Sequence, residues 1–339
     1  MDKVLHHFLA AQERVVGDLP ELALFTGLLR GLLTAGGKRI RPLLCVIGWH
    51  AVTGRPPPVA VWRAAAALEL FHAFSLIHDD VMDDSAIRRG KPTAQHVLAG
   101  LHPGHPRAHL LGTNAAILLG DLALGWSYEL LNSPEITPPQ AATLWPHFNA
   151  LRIETLVGQY LDLAATGQSP ADPAPAWRII RYKTARYTVE RPLLLGAVLA
   201  DAAPRQLRAL SEYALPLGEA FQLRDDLLGV YGDPRQTGKS ALEDLRDGKQ
   251  TVLVALATRH GSTLQRRILH TQLGNRHLTE AGADQIREVL DATGARRAVE
   301  QMITDRRRQA LAALDGHPLR SAAADSLRSL AEQAEHRTT

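Results

Sequence analysis

Asp79-Asp80-Val81-Met82-Asp83 closes a segment, Val61 to Asp84, in which apolar residues recur at helical spacing. On a helix, positions i and i+4 project from one face a turn apart, so Asp79 and Asp83 can grip the same object. Reading back along that face gives Ser75 or Leu76, then His72. Carboxylates on an apolar helix are costly to bury unless positive charge sits between them. A second segment repeats the pattern: Gly218, Gln222, Asp225 or Asp226, and Gly229 share a face around Asp225-Asp226-Leu227-Leu228-Gly229. Hard oxygen donors at this spacing suit Mg²⁺, which keeps its waters and bridges one or two carboxylates to a substrate phosphate. Two facing carboxylate walls with a Mg²⁺–diphosphate cluster between them are therefore expected.

The rest of the chain favours an all-α fold. Ala, Leu, Arg and Glu dominate, and β-branched alternation is nearly absent. Breakers fall at Gly54 to Pro58, Pro103 to Pro106, Ser133 to Pro139, Ser169 to Pro175 and Gly232 to Gly238. Long segments of helical period lie between them, Ala142 to Thr166 among them. None of the breaks reads as an interdomain linker, and no internal repeat exists beyond the acid clusters. A single all-α domain over 1–339 is expected, a helical bundle with its site in a central cavity.

Composition narrows the function. With 45% hydrophobic and 22% charged residues the 339-residue chain is an ordinary globular one. A net charge of +3 gives no argument for nucleic acid, and Arg306-Arg307-Arg308 reads as a solvated helix face. The lone Cys45 excludes an internal disulfide and a cysteine zinc site, and its apolar neighbours make it a small buried hydrophobe. No signal peptide and no run of about 20 uninterrupted apolar residues is found, so a cytoplasmic protein without a membrane span is expected.

Basic loops accompany the acids. Arg88-Arg89-Gly90-Lys91-Pro92-Thr93 follows the first cluster, and arginine can fork onto phosphate oxygens. Gly36-Gly37-Lys38-Arg39-Ile40-Arg41-Pro42 sets three cations behind two glycines, where Lys38 and Arg41 could clamp an anion. The second cluster is followed by Lys239, Asp244 and Lys249. Gly232 to Ser240 fails as a P-loop, having one residue too many between its glycines and no preceding strand. The acids also fail as an EF-hand, since they lie on helices.

Together these residues resemble the trans-isoprenyl diphosphate synthases, or polyprenyl synthetases. The likeness runs in order from Gly36 to Thr251 and includes Gly158-Gln159-Tyr160-Leu161-Asp162, Lys183-Thr184-Ala185-Arg186-Tyr187 and Phe221 to Asp226. It implies a bundle of roughly ten helices, working as a homodimer. It implies three Mg²⁺ ions held by Asp79 and Asp83 on one wall and Asp225 on the other. An allylic diphosphate of C5 to C15 would ionise there, and the double bond of isopentenyl diphosphate would attack the cation in a dry pocket. Lys38, Arg41, His72 and Arg89 resemble the isopentenyl diphosphate clamp. Arg88, Lys183 and Lys239 resemble the allylic diphosphate ligands, supported by Gln222 and Lys249. Thr184 would steady the cation or the departing diphosphate, while Asp80, Asp84 and Asp226 would orient ligands and waters.

One departure stands out: Gly229 replaces the usual last aspartate of the second motif. Activity is expected to survive, with a higher Mg²⁺ requirement if that carboxylate matters. In the family a single aromatic at the place of Phe74, beside small Ser75 and with Phe71 deeper, leans toward a C20 product, geranylgeranyl diphosphate. The C15 product, farnesyl diphosphate, is the alternative. A class I terpene cyclase would carry Asn or Ser with Glu where Asp225-Asp226 stands and would need no second diphosphate clamp. A non-catalytic partner subunit would have lost acids that this chain keeps.

Overall fold

The computed structural model describes residues 1–15, 19–168, 170–232, 242–316 and 319–335. They form an all-α bundle with one two-stranded hairpin. In order, the helices are α1 (Asp2–Val15), α2 (Pro20–Thr34), α3 (Ile40–Thr53), α4 (Val59–Met82), α5 (Ala94–Gly100), α6 (Ala108–Leu131) and α7 (Pro138–Ala165). A continuous rod follows, made of α8 (Ala174–Ile179), a π-helix (Ile180–Glu190) and α9 (Arg191–Leu199). The remainder is α10 (Pro204–Tyr231), α11 (Glu243–Asp247), α12 (Val252–His260), α13 (Thr263–Gln272), α14 (Glu280–Ala292), α15 (Ala295–Asp315) and α16 (Ser321–Glu335).

α4 is the central rod. Fourteen of its residues are buried, from Ala60 to Asp80, and most of these are Ala, Leu or Phe. Helices apolar all round belong in a core. It ends at Met82, so Asp83 caps it, with its N–H donating to Asp79 O at 2.9 Å. By length and composition α4 and α6 could each cross a membrane, with mean hydropathies of 1.3 and 1.2. In α4 72% of that window is buried inside the bundle; in α6 only 28% is.

The 88–93 loop is a tight antiparallel hairpin, β1 (Ile87–Arg88) with β2 (Lys91–Pro92). Arg89 and Gly90 turn it with φ of 52° and 73°, the left-handed pair that matches strand twist. Its base is tied to α4: Thr93 Oγ1 donates to Ser85 O at 2.7 Å, and Gln95 Nε2 donates to Asp80 O and Ser85 O, both at 2.9 Å. Arg88 and Arg89 therefore leave the hairpin in different directions from one fixed platform.

The π-helix reaches the cavity because two glycines let it. A Cβ on Gly158 of α7 would lie 2.4 Å from Lys183 N, and one on Gly218 of α10 would lie 2.5 Å from Ala185 Cα. Gly218, on the same face of α10 as Gln222, thus admits the neighbouring helix. Cys45 is buried as expected, its thiol pushed up to about 12 by burial. Arg306 is not a solvated residue: its guanidinium pairs with the buried Glu219 at 2.7 Å and lies over Trp177.

Gly158→Ala is expected to destabilise the fold by about 1–3 kcal/mol through overpacking and to displace Lys183. Urea unfolding at constant m-value would measure this; a midpoint equal to wild type would show that the two helices can part without cost.

Candidate active site

The walls of one cavity, about 560 Å³, bring together α3, α4, α7, the π-helix and α10. Of the residues expected at the site, Lys38, Arg41, His72, Ser75, Asp79, Arg88, Arg89, Lys183, Thr184, Gln222, Asp225, Asp226 and Lys249 line it. Asp83 caps α4 close enough to Asp79 and Lys249 for their charges to act on it. Lys239 lies outside the described residues. Phe74 and Phe71 are buried just behind the wall that Ser75 lines; Phe74 stacks edge-on against Phe71 and His78. His78 in turn reaches Ile117 O of α6, so Phe74 lies on the α6 side of α4. Asp84 is exposed, with its carboxylate 3.8 Å from His109 Nε2.

The acid end is neutralised from within. Asp79 accepts from Arg88 Nη2 at 3.2 Å, Lys183 Nζ at 3.3 Å and Gln159 Nε2 at 3.0 Å. Burial opposes its ionisation, but Lys183 and Arg88 hold its carboxyl below the usual range. Arg88 Nε also donates to the buried Asp80 at 2.6 Å. Lys183 Nζ donates to Asp162 at 2.5 Å, and Lys249 Nζ to Asp244 at 3.0 Å. Burial disfavours the charge on both lysines, yet the surrounding carboxylates keep them protonated. Even so the acids outnumber their partners in effect. Burial and then Asp79 push Asp83 up to about 6, and burial pushes Asp226 to about 7 with help from Asp225 and Asp244.

The opposite end is cationic. Arg41 Nη2 donates to Thr188 Oγ1 at 2.8 Å and its guanidinium lies 4.1 Å over the Tyr187 ring. Arg89 bonds Gly36 O and packs flat on Gly37, where a Cβ would be 3.1 Å from its Nη2. Arg39 is taken up by the buried Glu69, which leaves it a structural cation. His72 Nδ1 meets Tyr187 OH at 2.9 Å. Desolvation first, then the arginines around it, hold His72 well below its ordinary value, so its ring is neutral. Arg89 is likewise lowered by burial and by Arg88, Arg39 and Arg41. Crowded cations of this kind call for an anion.

Between the two ends, Thr184 Oγ1 donates to Gln222 Oε1 at 2.6 Å and Gln222 Nε2 donates to Asp226 at 2.8 Å. This chain of bonds couples the π-helix to the second acid cluster. Gln159, Asp162 and Tyr187 lay inside motifs quoted from the sequence but carried no role there; Glu69 gave no signal at all.

The chain has clear relatives among known proteins. The family model for polyprenyl synthetase matches residues 23–291. A geranylgeranyl diphosphate synthase of Saccharolobus solfataricus is 32% identical over 262 residues, 76% of this chain and 74% of that protein. The octaprenyl diphosphate synthase of Escherichia coli is 30% identical, over 85% and 82%. Among solved structures, a Corynebacterium glutamicum geranylgeranyl pyrophosphate synthase, complexed with isoprenyl diphosphate and magnesium, superposes with a TM-score of 0.93. It is 36% identical and covers 98% of this chain and 96% of its own. The chain belongs to the polyprenyl synthetase family, the trans-isoprenyl diphosphate synthases. It is a prenyltransferase enzyme that joins isopentenyl diphosphate head to tail to an allylic diphosphate. Relatives with products of very different length match it about equally well.

The raised Asp226 gives a signed expectation. Its folded value, about 7, exceeds the ordinary 3.8. The folded protein thus keeps a proton that the unfolded chain has released, and stability falls as pH climbs through that window. In chelator, Asp226→Asn should melt on the order of 3 °C above wild type at pH 8, with the gap closing toward pH 4. A gap independent of pH would refute this account.

Proposed function

We propose that this chain, acting as one catalytic domain, is a Mg²⁺-dependent geranylgeranyl diphosphate synthase. Its allylic primers are C5 to C15 diphosphates, it is a homodimer, and it works in the cytoplasm. The observation that carries the reading is the charge separation inside one cavity: under-neutralised carboxylates on α4 and α10 face an anion-hungry set of cations on α3 and the hairpin.

The donor set fits Mg²⁺. Asp79, Asp83 and Asp225 offer hard carboxylate oxygens, and the raised value of Asp83 marks a pair that wants a cation between its members. Among the described residues no three His, Cys, Asp or Glu side chains converge as a ready metal cage. That suits ions whose shells are completed by water and diphosphate. Three ions are proposed, on Asp79, Asp83 and Asp225. Bound there, Mg²⁺ supplies the Lewis acidity that makes the allylic diphosphate a leaving group.

The protein does the rest. Lys183 and Arg88 leave Asp79 and turn to the allylic diphosphate, together with Lys239 and Lys249. Thr184, held by Gln222, presents its oxygen toward the reacting carbon. Lys38, Arg41, Arg89 and neutral His72 hold isopentenyl diphosphate by its phosphates. His72 can donate one hydrogen bond there without adding another positive charge. The diphosphate that leaves takes the final proton, so no side-chain base is required. Leu32, Leu33, Leu76 and Phe221 keep water from the cation.

The C20 product is proposed over C15 from the place of Phe74. The tail grows back along α4 at about 5.4 Å per turn, and Ser75 leaves it room until Phe74 and Phe71 stand in its path toward α6. The exposed apolar face of α6, Leu110, Ile117 and Leu118, is proposed as the surface covered by a second copy.

Mass spectrometry of products from isopentenyl diphosphate with C5, C10 or C15 primers tests the function. A Mg²⁺-dependent ladder ending at C20 is expected, and Asp225→Ala should lose at least a hundredfold in kcat. No elongation from any primer would overturn the reading. Phe74→Ala should lengthen the ladder by one or more C5 units; an identical ladder would place the floor elsewhere. In sedimentation, Leu118→Glu should shift a dimer toward monomer, and an unaltered dimer would locate the interface off α6.

A further inference from the structure

The surface formed by α12 and α13 breaks a pattern that holds over the rest of the C-terminal third. There, surface arginines are matched by carboxylates: Arg296 with Glu300 at 3.3 Å, Arg308 with Asp305 at 3.2 Å and Arg328 with Asp315 at 3.1 Å. Between Asp247 and Glu280, by contrast, the chain carries no acidic residue. Arg259, near the end of α12, and Arg266 and Arg267, on α13, are all exposed, and no carboxylate pairs with them among the described residues. Arg266 Nη2 donates to Arg259 O at 3.5 Å, so the three cations share one corner.

The fold gathers positive potential there and leaves it unbalanced. Ser262 caps α13, its Oγ accepting from Gln265 N at 3.3 Å, so the positive end of that helix dipole faces the same corner. α13 packs on α12 and α14, with Leu269 buried in their shared core. Of the four acids of α14, Glu280 and Asp284 serve Arg287, and Asp291 serves Arg296 and Tyr231. The fourth, Glu288, pairs with none of the three arginines. α13 also carries Leu264, 69% exposed and one turn before Arg267. Like charges gathered without an acid repel one another, and an external anion relieves that repulsion.

We propose that this corner docks on an anionic phospholipid bilayer, with Arg259, Arg266 and Arg267 among the lipid phosphates and Leu264 in the interface. The apolar side chain favours a bilayer over a soluble polyanion. An exposed leucine gains nothing from a free phosphate or a nucleic-acid backbone, whereas a basic amphipathic helix face buries it below the headgroups. The product proposed above points the same way, because a C20 chain dissolves in a bilayer and not in water. That step rests on the prenyl diphosphate reading; the charge pattern and Leu264 do not. Each arginine near such a surface strengthens partition about fivefold, and three of them with one leucine give a reversible contact rather than an anchor.

Flotation of the full-length protein with vesicles tests this. Vesicles of equimolar phosphatidylglycerol and phosphatidylcholine should carry the protein at low salt and release it at high salt, while phosphatidylcholine alone should carry none. The variant Arg259→Gln/Arg266→Gln/Arg267→Gln should bind about a hundredfold more weakly, with the melting temperature and, in the absence of vesicles, the turnover of wild type. Arg205→Gln/Arg208→Gln/Arg297→Gln, which removes the same charge from other exposed positions, should bind like wild type. Leu264→Ser should weaken binding severalfold and leave its salt dependence unchanged. Equal binding to both kinds of vesicle, an undiminished variant at the α12–α13 corner, or a control variant as weak as that one would overturn the inference. So would displacement by inorganic phosphate at matched ionic strength, or capture on duplex DNA in place of vesicles. Turnover of isopentenyl diphosphate with a C15 primer, measured on the same samples, separates the two readings: vesicle binding without turnover leaves the docking surface standing and removes the proposed function.

Discussion

Both acid clusters stand at the C-terminal ends of long helices, and the structure around them is built to make that tolerable. Asp79 and Asp80 occupy the last turn of α4, and Asp225 and Asp226 the last two turns of α10. The exposed carbonyls at such an end already carry partial negative charge, so carboxylates there add to an unfavourable field rather than cancel one. Neither helix carries a basic residue in its last turn to offset this. The compensation comes from other elements: Arg88 from the hairpin, Lys183 from the π-helix, Lys249 from the segment after α11. Each is delivered by a local device, a left-handed turn or a glycine contact, and each would be pointless without the acids.

These lysines and arginines therefore have two roles. In the free protein they are counter-ions for aspartates. On the proposed reading the carboxylates would hold Mg²⁺ and the same cations would face the phosphate oxygens, so that no buried charge need be left unpaired. At the cationic end the partners differ in kind. Arg39 is satisfied by Glu69, while Arg89 and Arg41 rest on a carbonyl, a hydroxyl and an aromatic face. A neutral His72 in their midst lowers the repulsion they would otherwise share.

Much of this was legible in sequence, for definite reasons. Helical period and breakers located α4 within two residues at each end, and α7 within four, because long apolar segments bounded by Pro and Gly have few alternatives. The i, i+4 aspartates pointed to the candidate site because carboxylates on an apolar face are energetically anomalous. The π-helix was not legible, since its wider turn is set by packing against Gly158 and Gly218 rather than by the residues of Ile180 to Glu190. Nor were the parts of Asp162, Gln159 and Tyr187: each acts through a partner more than twenty residues away, and sequence gives no distance. What Gly218 and Gly229 face is equally invisible in the sequence. A glycine announces only that something lies close; one proved to face a helix and the other a carboxylate.

α6 shows the same logic turned outward. A helix that is apolar nearly all round and yet only 28% buried in its hydropathy window is out of balance with water. α4 resolves that imbalance by being wrapped within one chain, with α6 itself as a principal neighbour along its length. Among the described residues α6 packs on α4 and α5, and it leaves Leu110, Ile117 and Leu118 exposed. His78, whose ring fits over Gly120 so closely that a Cβ there would lie 2.3 Å from it, locks the two rods in register. Whatever covers the outer face of α6 thus bears on α4 through a contact that cannot slide. The place of Phe74 is consequently set from two sides: by Phe71 and His78 of α4 and by α6, which His78 holds in register.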